Sequence, residues 1–276
     1  MSAKSTGQSI VKGSMILLIA NFTVKLIGAI FKIPLTNLLG NTGMGYFNAA
    51  YSIYAGLFVI ATAGLPVAVS KMVSESVVTG NLKETKKIYN AAFMMFLVIG
   101  IAGSLVLYFF ADSLAQTTEY LESNLAIRTI APAILFVSMM SVYRGFFQGM
   151  SNMFPTAISE VVEALTKLVV GYLLAWLLIS KGLPVAASGA VFGVTTGTFL
   201  GFVVLMLIHQ KKKKAIYAGI ELAKPARPMA SIVKELFKIA VPVTISASVF
   251  TLTNMVDYVL IGQNLNHIKE LSLIHI

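Results

Sequence analysis

The sequence predicts an all-α fold of membrane-spanning helices, and three observations carry that reading. Hydrophobic residues make up 57% of the 276 and charged ones only 12%, about half the roughly 25% charged share of a soluble domain, and mean hydropathy is +0.83. The apolar residues gather into runs long enough to cross a bilayer, which takes roughly 17–25 residues per helix. The positive charges between these runs fall in every second loop, as the positive-inside rule demands. About seven spans result, over residues 13–37, 46–71, 88–111, 125–148, 157–180, 186–209 and 237–262.

The first span carries the most informative pattern. At about 100° per residue, Ser14, Asn21, Lys25, Gly28, Lys32 and Thr36 share one narrow stripe, and the opposite side is Leu, Ile, Val, Phe or Ala. Lys4 and Lys12 ahead of Met15–Thr23 mimic a signal peptide. The apolar stretch runs on past Lys25 with no small-residue cleavage pattern, so the segment is read as a retained helix. A charge near the bilayer centre costs at least about 2.5–3.5 kcal/mol and normally faces a bundle interior or a water-filled cavity. Lys32 is close enough to the outer end to snorkel; Lys25, mid-helix, has less reach. The stripe is therefore read as the wall of a cationic cavity.

The loops orient the chain. Lys71, Lys83, Lys86 and Lys87 follow the second span, and Lys211 to Lys214, Lys224, Arg227 and Lys234 follow the sixth. The alternate loops are uncharged (Leu38–Gly45), acidic (Asp112, Glu119, Glu122) or nearly bare (Lys181 alone). The N-terminus is therefore cytoplasmic. Pro34, Pro66, Pro132 and Pro242 lie in or at the ends of spans, each deleting a backbone donor and inviting a kink.

The fourth span places Arg128 near its outer end and Arg144 at its cytoplasmic end, where an interfacial anchor, a partner for Glu160 and a phosphate contact are all open. The fifth opens with Glu160, Glu163 and Lys167 on one face; Glu163 and Lys167 have the favourable i, i+4 order for a local salt bridge. The sixth carries Gly189, Gly193, Gly197 and Gly201 along one face, a spacing that lets helix backbones approach closely, and Gly145 and Gly149 give a shorter version in the fourth. Residues 1–210 read as a six-helix lobe, 211–236 as a basic cytoplasmic linker, and 237–276 as the first helix of a second, truncated lobe. Asn254 and Asp257 in that last helix suit a hydrogen bond between helices or an ion site.

Several chemistries are not encoded. Net charge is +10, but the cations sit mostly in loops, where anionic headgroups account for them; basic patches interleaved with aromatics are lacking, so nucleic acid is not an expected partner. With no cysteine, thiolate metal sites and thiol catalysis are excluded. His209, His267 and His275 lack metal-ligand spacing, and no phosphate-binding loop, HExxH or Ser/His/Asp set occurs. Neither a cofactor, a metal nor an enzymatic activity is expected.

Three stretches carry a family resemblance: Val24-Lys-Leu-Ile-Gly-Ala-Ile-Phe-Lys-Ile-Pro-Leu35; Gly43-Met-Gly-Tyr46 with Ala63-Gly-Leu-Pro-Val-Ala-Val-Ser-Lys71; and Tyr143-Arg-Gly-Phe-Phe-Gln-Gly-Met-Ser-Asn-Met-Phe-Pro-Thr156. Over residues 7–262 the chain resembles the amino-terminal half of SpoVB-like polysaccharide transport proteins. These are relatives of MurJ-type lipid II flippases in the multidrug/oligosaccharidyl-lipid/polysaccharide exporter superfamily. The resemblance implies a MATE/MurJ-like bundle with two lobes in a V around a central cavity. It also implies that Lys25, and Lys32 after it, stand where such proteins carry cavity-facing basic residues. Asn21, Gly28 and Arg144 complete the candidate cavity set. Where MurJ-type proteins use an arginine in the second helix, this chain has Tyr51, Tyr54 and apolar residues, and a further basic residue of the second lobe would fall beyond Ile276.

The function implied is a flippase of the bacterial cytoplasmic membrane moving a polyprenyl-pyrophosphate-linked saccharide, a peptidoglycan precursor or related glycan lipid. Its partners would be that lipid-linked oligosaccharide, membrane lipids and cell-envelope synthesis proteins. The alternatives are a cation-coupled multidrug exporter of the same superfamily, a non-transporting scaffold for envelope assembly, and a glycolipid enzyme.

Overall fold

The computed structural model describes residues 10–118, 120–218, 220 and 224–249, and among these no strand occurs. Helix α1 (Ile10–Thr62) buries Ala20, Ile27, Phe31, Leu35 and Leu39 along one side of its first arm, a helical spacing. It breaks at Gly40, whose φ of 63° and ψ of −172° a side chain would resist. Helix resumes at once, so the segment Leu38–Gly45, expected as a loop, is mostly helical. The second arm buries Met44, Phe47, Ala50 and Tyr54, and its aromatics form a ladder in which Phe47 stacks on Tyr51 with centroids 5.8 Å apart.

The second arm stops at Thr62 and α2 (Gly64–Val78) follows after the single residue Ala63. Pro66 explains the break, because it has no N–H for the Thr62 carbonyl four residues back. Gly80, at φ 68°, turns the chain into α3 (Leu82–Phe109), where Asn81 Oδ1 accepts from Glu84 N at 3.3 Å. This is ordinary N-capping, and it draws Lys83, Lys86 and Lys87 into the first turns of a helix expected to begin later. The short α4 (Ala111–Gln116) leads to α5 (Asn124–Gly149), the central post, buried on nearly every side. Its alanines, serines and glycines let α1, α2, α3 and α8 close around it.

Helix α6 (Phe154–Thr166) passes through a π turn, Lys167–Gly171, into α7 (Tyr172–Leu178). Gly182, at φ 108°, then reverses the chain into α8 (Leu183–Ile216). This helix runs through Lys211 to Lys214, so the basic linker is shorter than expected. Residues 229–249 form a further helix, α9, which buries Ile232, Leu236 and Ala240. The rest of the expected seventh span lies outside the described residues.

Five helical stretches among the described residues are long and apolar enough to cross a membrane: Val11–Val78, Leu82–Phe109, Leu121–Gly149, Phe154–Lys181 and Leu183–Ile216. The first is broken at Gly40 and holds two of the expected spans. The core divides into two clusters. Phe31, Leu35, Phe47, Ile127, Ile130 and Val191 pack in one, and Val69, Met72, Phe96, Met140, Phe146 and Leu205 in the other.

Candidate functional site

The polar stripe of α1 flanks its buried side and opens outward. Ser14, Asn21, Lys25 and Lys32 are exposed; Gly28 and Thr36 are half-buried. Ser14, Leu17, Leu18, Asn21, Phe22 and Lys25, all from this one helix, line an open recess. A Cβ added to Gly28 would meet nothing within 4 Å. Lys25 stands midway between Ile10 and Gly40, about 22 Å from each at 1.5 Å per residue, at the centre of the first arm. Neither its ammonium nor that of Lys32 has an ion-pair or hydrogen-bond partner among the described residues.

Across the seam between the two arms of α1, α6 brings a second set of charges. Glu163 and Lys167 do not form the expected i, i+4 bridge. Arg144 of α5 takes the carboxylate instead, with Nη2 donating to Glu163 Oε2 at 3.1 Å and Nε donating to Ser159 Oγ at 3.2 Å. Both side chains are largely buried, at 15% and 24% exposure, and in such surroundings the planar guanidinium is the better carboxylate partner. Arg144, one of the candidate cavity residues, is thereby engaged inside the lobe, and its acid is Glu163 rather than Glu160. One carboxylate oxygen of Glu160, Oε2, is buried without a partner among the described residues.

Lys167, released from Glu163, begins the π turn, and its Nζ lies 5.9 Å from the ring centroids of both Phe31 and Tyr51. Phe31 is buried, whereas Tyr51 is 37% exposed. The ammonium thus rests on one aromatic face from each arm of α1, a cation–π arrangement. Lys167 sits about 20 Å along the helix from Phe154 at 1.5 Å per residue, near the middle of the stretch Phe154–Lys181.

The glycines of α8 explain how α6 and α7 come so near. A Cβ on Gly193 would lie 2.5 Å from Gly171 N and 3.0 Å from Lys167 O; on Gly197, 2.7 Å from Glu163 O; on Gly189, 3.1 Å from Leu174 O; on Gly201, 3.3 Å from Ser159 O. Each glycine therefore faces backbone of the α6–α7 segment, and Gly193 and Gly171 meet at the π turn itself. Gly145 and Gly149 do the same for α5 against the carbonyls of Pro66 and Ser70.

The remaining candidates lie elsewhere. Arg128 pairs with Asp112 at the outer end. Asn254 and Asp257 lie outside the described residues. Among the described residues no group of three or more His, Asp or Glu side chains comes together as a metal site would require. His209 is 5% exposed and stacks on Tyr89 with centroids 4.6 Å apart.

Comparison with known proteins fits this geometry. The family described as polysaccharide biosynthesis protein matches residues 10–267. Lipid II flippase MurJ of Bacillus subtilis (strain 168) is 31% identical over 263 residues, 90% of this chain and 48% of that protein. Stage V sporulation protein B of the same organism is 25% identical over 259 residues, 94% and 50% of the two chains. The chain spans about half the length of these curated relatives. Among solved structures, a MATE protein in its straight conformation aligns at TM-score 0.72 and 15% identity over 86% of this chain and 52% of that one. A MOP superfamily transporter from Pyrococcus furiosus aligns at TM-score 0.70 and 13% identity, over 90% and 55%. The fold is that of MATE and MOP proteins, and the protein is a multi-pass protein of the bacterial cytoplasmic membrane. The chain belongs to the polysaccharide biosynthesis protein family.

Proposed function

We propose that this member of the polysaccharide biosynthesis protein family supplies one lobe of a flippase that moves a polyprenyl-diphosphate-linked saccharide across the cytoplasmic membrane. The observation that carries the reading is the pair of unpartnered ammoniums, Lys25 and Lys32, on an open polar stripe along the first arm of α1. A diphosphate cannot cross hydrocarbon bare, because burying an unpaired charge costs many kcal/mol. Lys25 and Lys32 would meet it as compact charges in charge-assisted hydrogen bonds, with Lys167 reaching the same region over Tyr51, while the polyprenyl tail stays in lipid. A second lobe of like architecture, facing α1, would close the cavity, and rocking of one lobe against the other would expose it to each side in turn. An inside-negative potential assists outward movement of an anion by about 2.3 kcal/mol per charge per 100 mV if it crosses the full field. Similarity to lipid II flippase MurJ supports the substrate class.

The test is flipping of a fluorescent polyprenyl-diphosphate saccharide in proteoliposomes carrying the two-lobe protein. Lys25→Ala should abolish flipping while membrane insertion is retained; full flipping by that variant would remove Lys25 from the mechanism. A cation-coupled exporter is the second reading, favoured by the unpartnered Glu160 oxygen. It predicts that Glu160→Gln uncouples transport of an organic cation from an ion gradient while diphosphate-lipid flipping is nil in the unmodified protein.

A further inference from the structure

Residues 224–228, just ahead of α9, form no regular structure, yet they are held at three points, all through Arg227. Its Nε donates to Glu84 Oε1 at 2.5 Å, and its Nη1 donates to Glu235 Oε2 at 2.5 Å. Its carbonyl oxygen accepts from Lys87 Nζ at 2.6 Å. Glu84 and Lys87 stand about one turn apart on α3, and Glu235 belongs to α9, so a single residue ties two helices together.

The grip is prepared on both sides. Glu84 caps α3 together with Asn81, whose Nδ2 donates to Glu84 Oε2 at 3.1 Å, and this leaves Oε1 for the guanidinium. The Glu84 side chain is only 13% exposed, so water has little access to replace that partner. Pro225 and Pro228 bracket Arg227, and a residue ahead of proline is pushed towards extended backbone. Arg227 therefore stays outside the helix that begins at Met229. A lysine could not take its place, because one ammonium lacks the planar fork that meets acids on two helices at once.

Beyond this clasp, α9 is attached along one narrow seam. Ile232, Leu236 and Ala240 are buried in the apolar cluster that contains Leu65, Met72 and Ile88. At the far end of the seam, a Cβ added to Gly64 would lie 2.0 Å from Ala240 O and 2.3 Å from Thr244 Oγ1. Phe237, Val241, Ile245 and Val249 are exposed. Ion pairs at partly exposed positions are individually weak and screened by salt. A short seam closed by such pairs is the construction of an element that docks and undocks.

We propose that Arg227 is a latch that keeps α9 docked on α2 and α3, and that breaking its two ion pairs releases α9 from that surface. Neither the diphosphate lipid nor the α1 stripe enters into this.

The chain has no cysteine, so nitroxide labels can be placed at Lys86→Cys on α3 and Lys238→Cys on α9, both exposed positions. Double electron–electron resonance on the whole chain in phosphatidylcholine nanodiscs reads the distance between them. At about 0.1 M salt the unmodified latch should give one narrow distribution. Arg227→Gln should add a longer, broader component, raising the undocked population about tenfold, and Arg227→Lys should fall between the two. Raising salt to about 1 M, where the screening length falls to about 3 Å, should widen the distribution with Arg227 intact and leave Arg227→Gln as it was. Unchanged helicity by circular dichroism verifies the fold of the variants, and the salt arm leaves Arg227 in place. A distribution as narrow in Arg227→Gln as with Arg227 intact, or no response to salt with Arg227 intact, overturns the latch and leaves the apolar seam as what holds α9.

Discussion

Gly193→Ala is the sharpest probe of how the site is built. The new Cβ would sit 2.5 Å from Gly171 N and 3.0 Å from Lys167 O. Both are backbone atoms, so no side-chain rotation can relieve the overlap. Reaching ordinary van der Waals separation requires α8 and the π turn to part by roughly 1 Å, which forfeits dispersion contacts along the whole seam. Overpacking of this kind costs about 1–3 kcal/mol. Gly28→Ala is the matched control, because its Cβ meets nothing within 4 Å and replacing an unobstructed helical glycine gains about 1 kcal/mol or less. Equilibrium unfolding of both variants in mixed micelles, followed by far-ultraviolet circular dichroism, reads the difference directly. Because Lys167 begins the π turn, the shift should also disturb its seat on Tyr51, lowering flipping by Gly193→Ala more than its stability loss accounts for. A Gly193→Ala protein as stable as the unmodified one, or a Gly28→Ala protein equally weakened, would refute the packing argument.

The other predictions concern charge. Replacing Arg144 with Met should destabilise the lobe by about 1.5–3 kcal/mol, the scale of a charged hydrogen bond, because Glu163 is left unpaired. Adding Glu163→Gln should recover part of that loss, and a double-mutant cycle of unfolding free energies measures the coupling. Lys167→Met should leave stability within about 1 kcal/mol while cutting flipping of the diphosphate lipid at least tenfold. Lys167→Arg, which keeps the charge and the aromatic seat, should restore most of it in the proteoliposome assay.

Much of this architecture was legible in the chain because its rules are one-dimensional. Span length and alternating loop charge need no tertiary information, and the stripe through Lys25 is a matter of 3.6-residue geometry. The break at Gly40 was hidden because Leu38–Gly45 reads as an uncharged loop, whereas one glycine at positive φ suffices to redirect the helix. The break at Ala63 could have been inferred from Pro66 and its missing donor to Thr62. The partner of Glu163 was misread because helix spacing favours Lys167, and only the packing of α5 against α6 brings Arg144 nearer. The aromatic nest around His209 had no sequence signal, since Tyr89 and Tyr143 lie far from it in the chain.

The distribution of pairing has a consequence for the transport cycle proposed above. The lobe satisfies Glu163 with Arg144 near the cytoplasmic side and leaves Lys25 and Lys32 without acid partners deeper in. An ammonium held at mid-membrane without a counter-charge is tolerable only while water reaches it, so an empty cavity is driven to stay open to one aqueous side. Arrival of a diphosphate reverses that balance, because the anion replaces water as the partner of the lysines and the cavity can then close around a nearly neutral assembly. On this account the substrate's charge is the trigger for passage through the occluded state. Replacing Lys25 and Lys32 with glutamine should therefore do more than weaken binding. It should let the substrate-free protein visit occluded states, detectable by spin-label distances across the cavity mouth. If distances in the unliganded double variant stay as open as in the unmodified protein, charge is not what holds the cavity open.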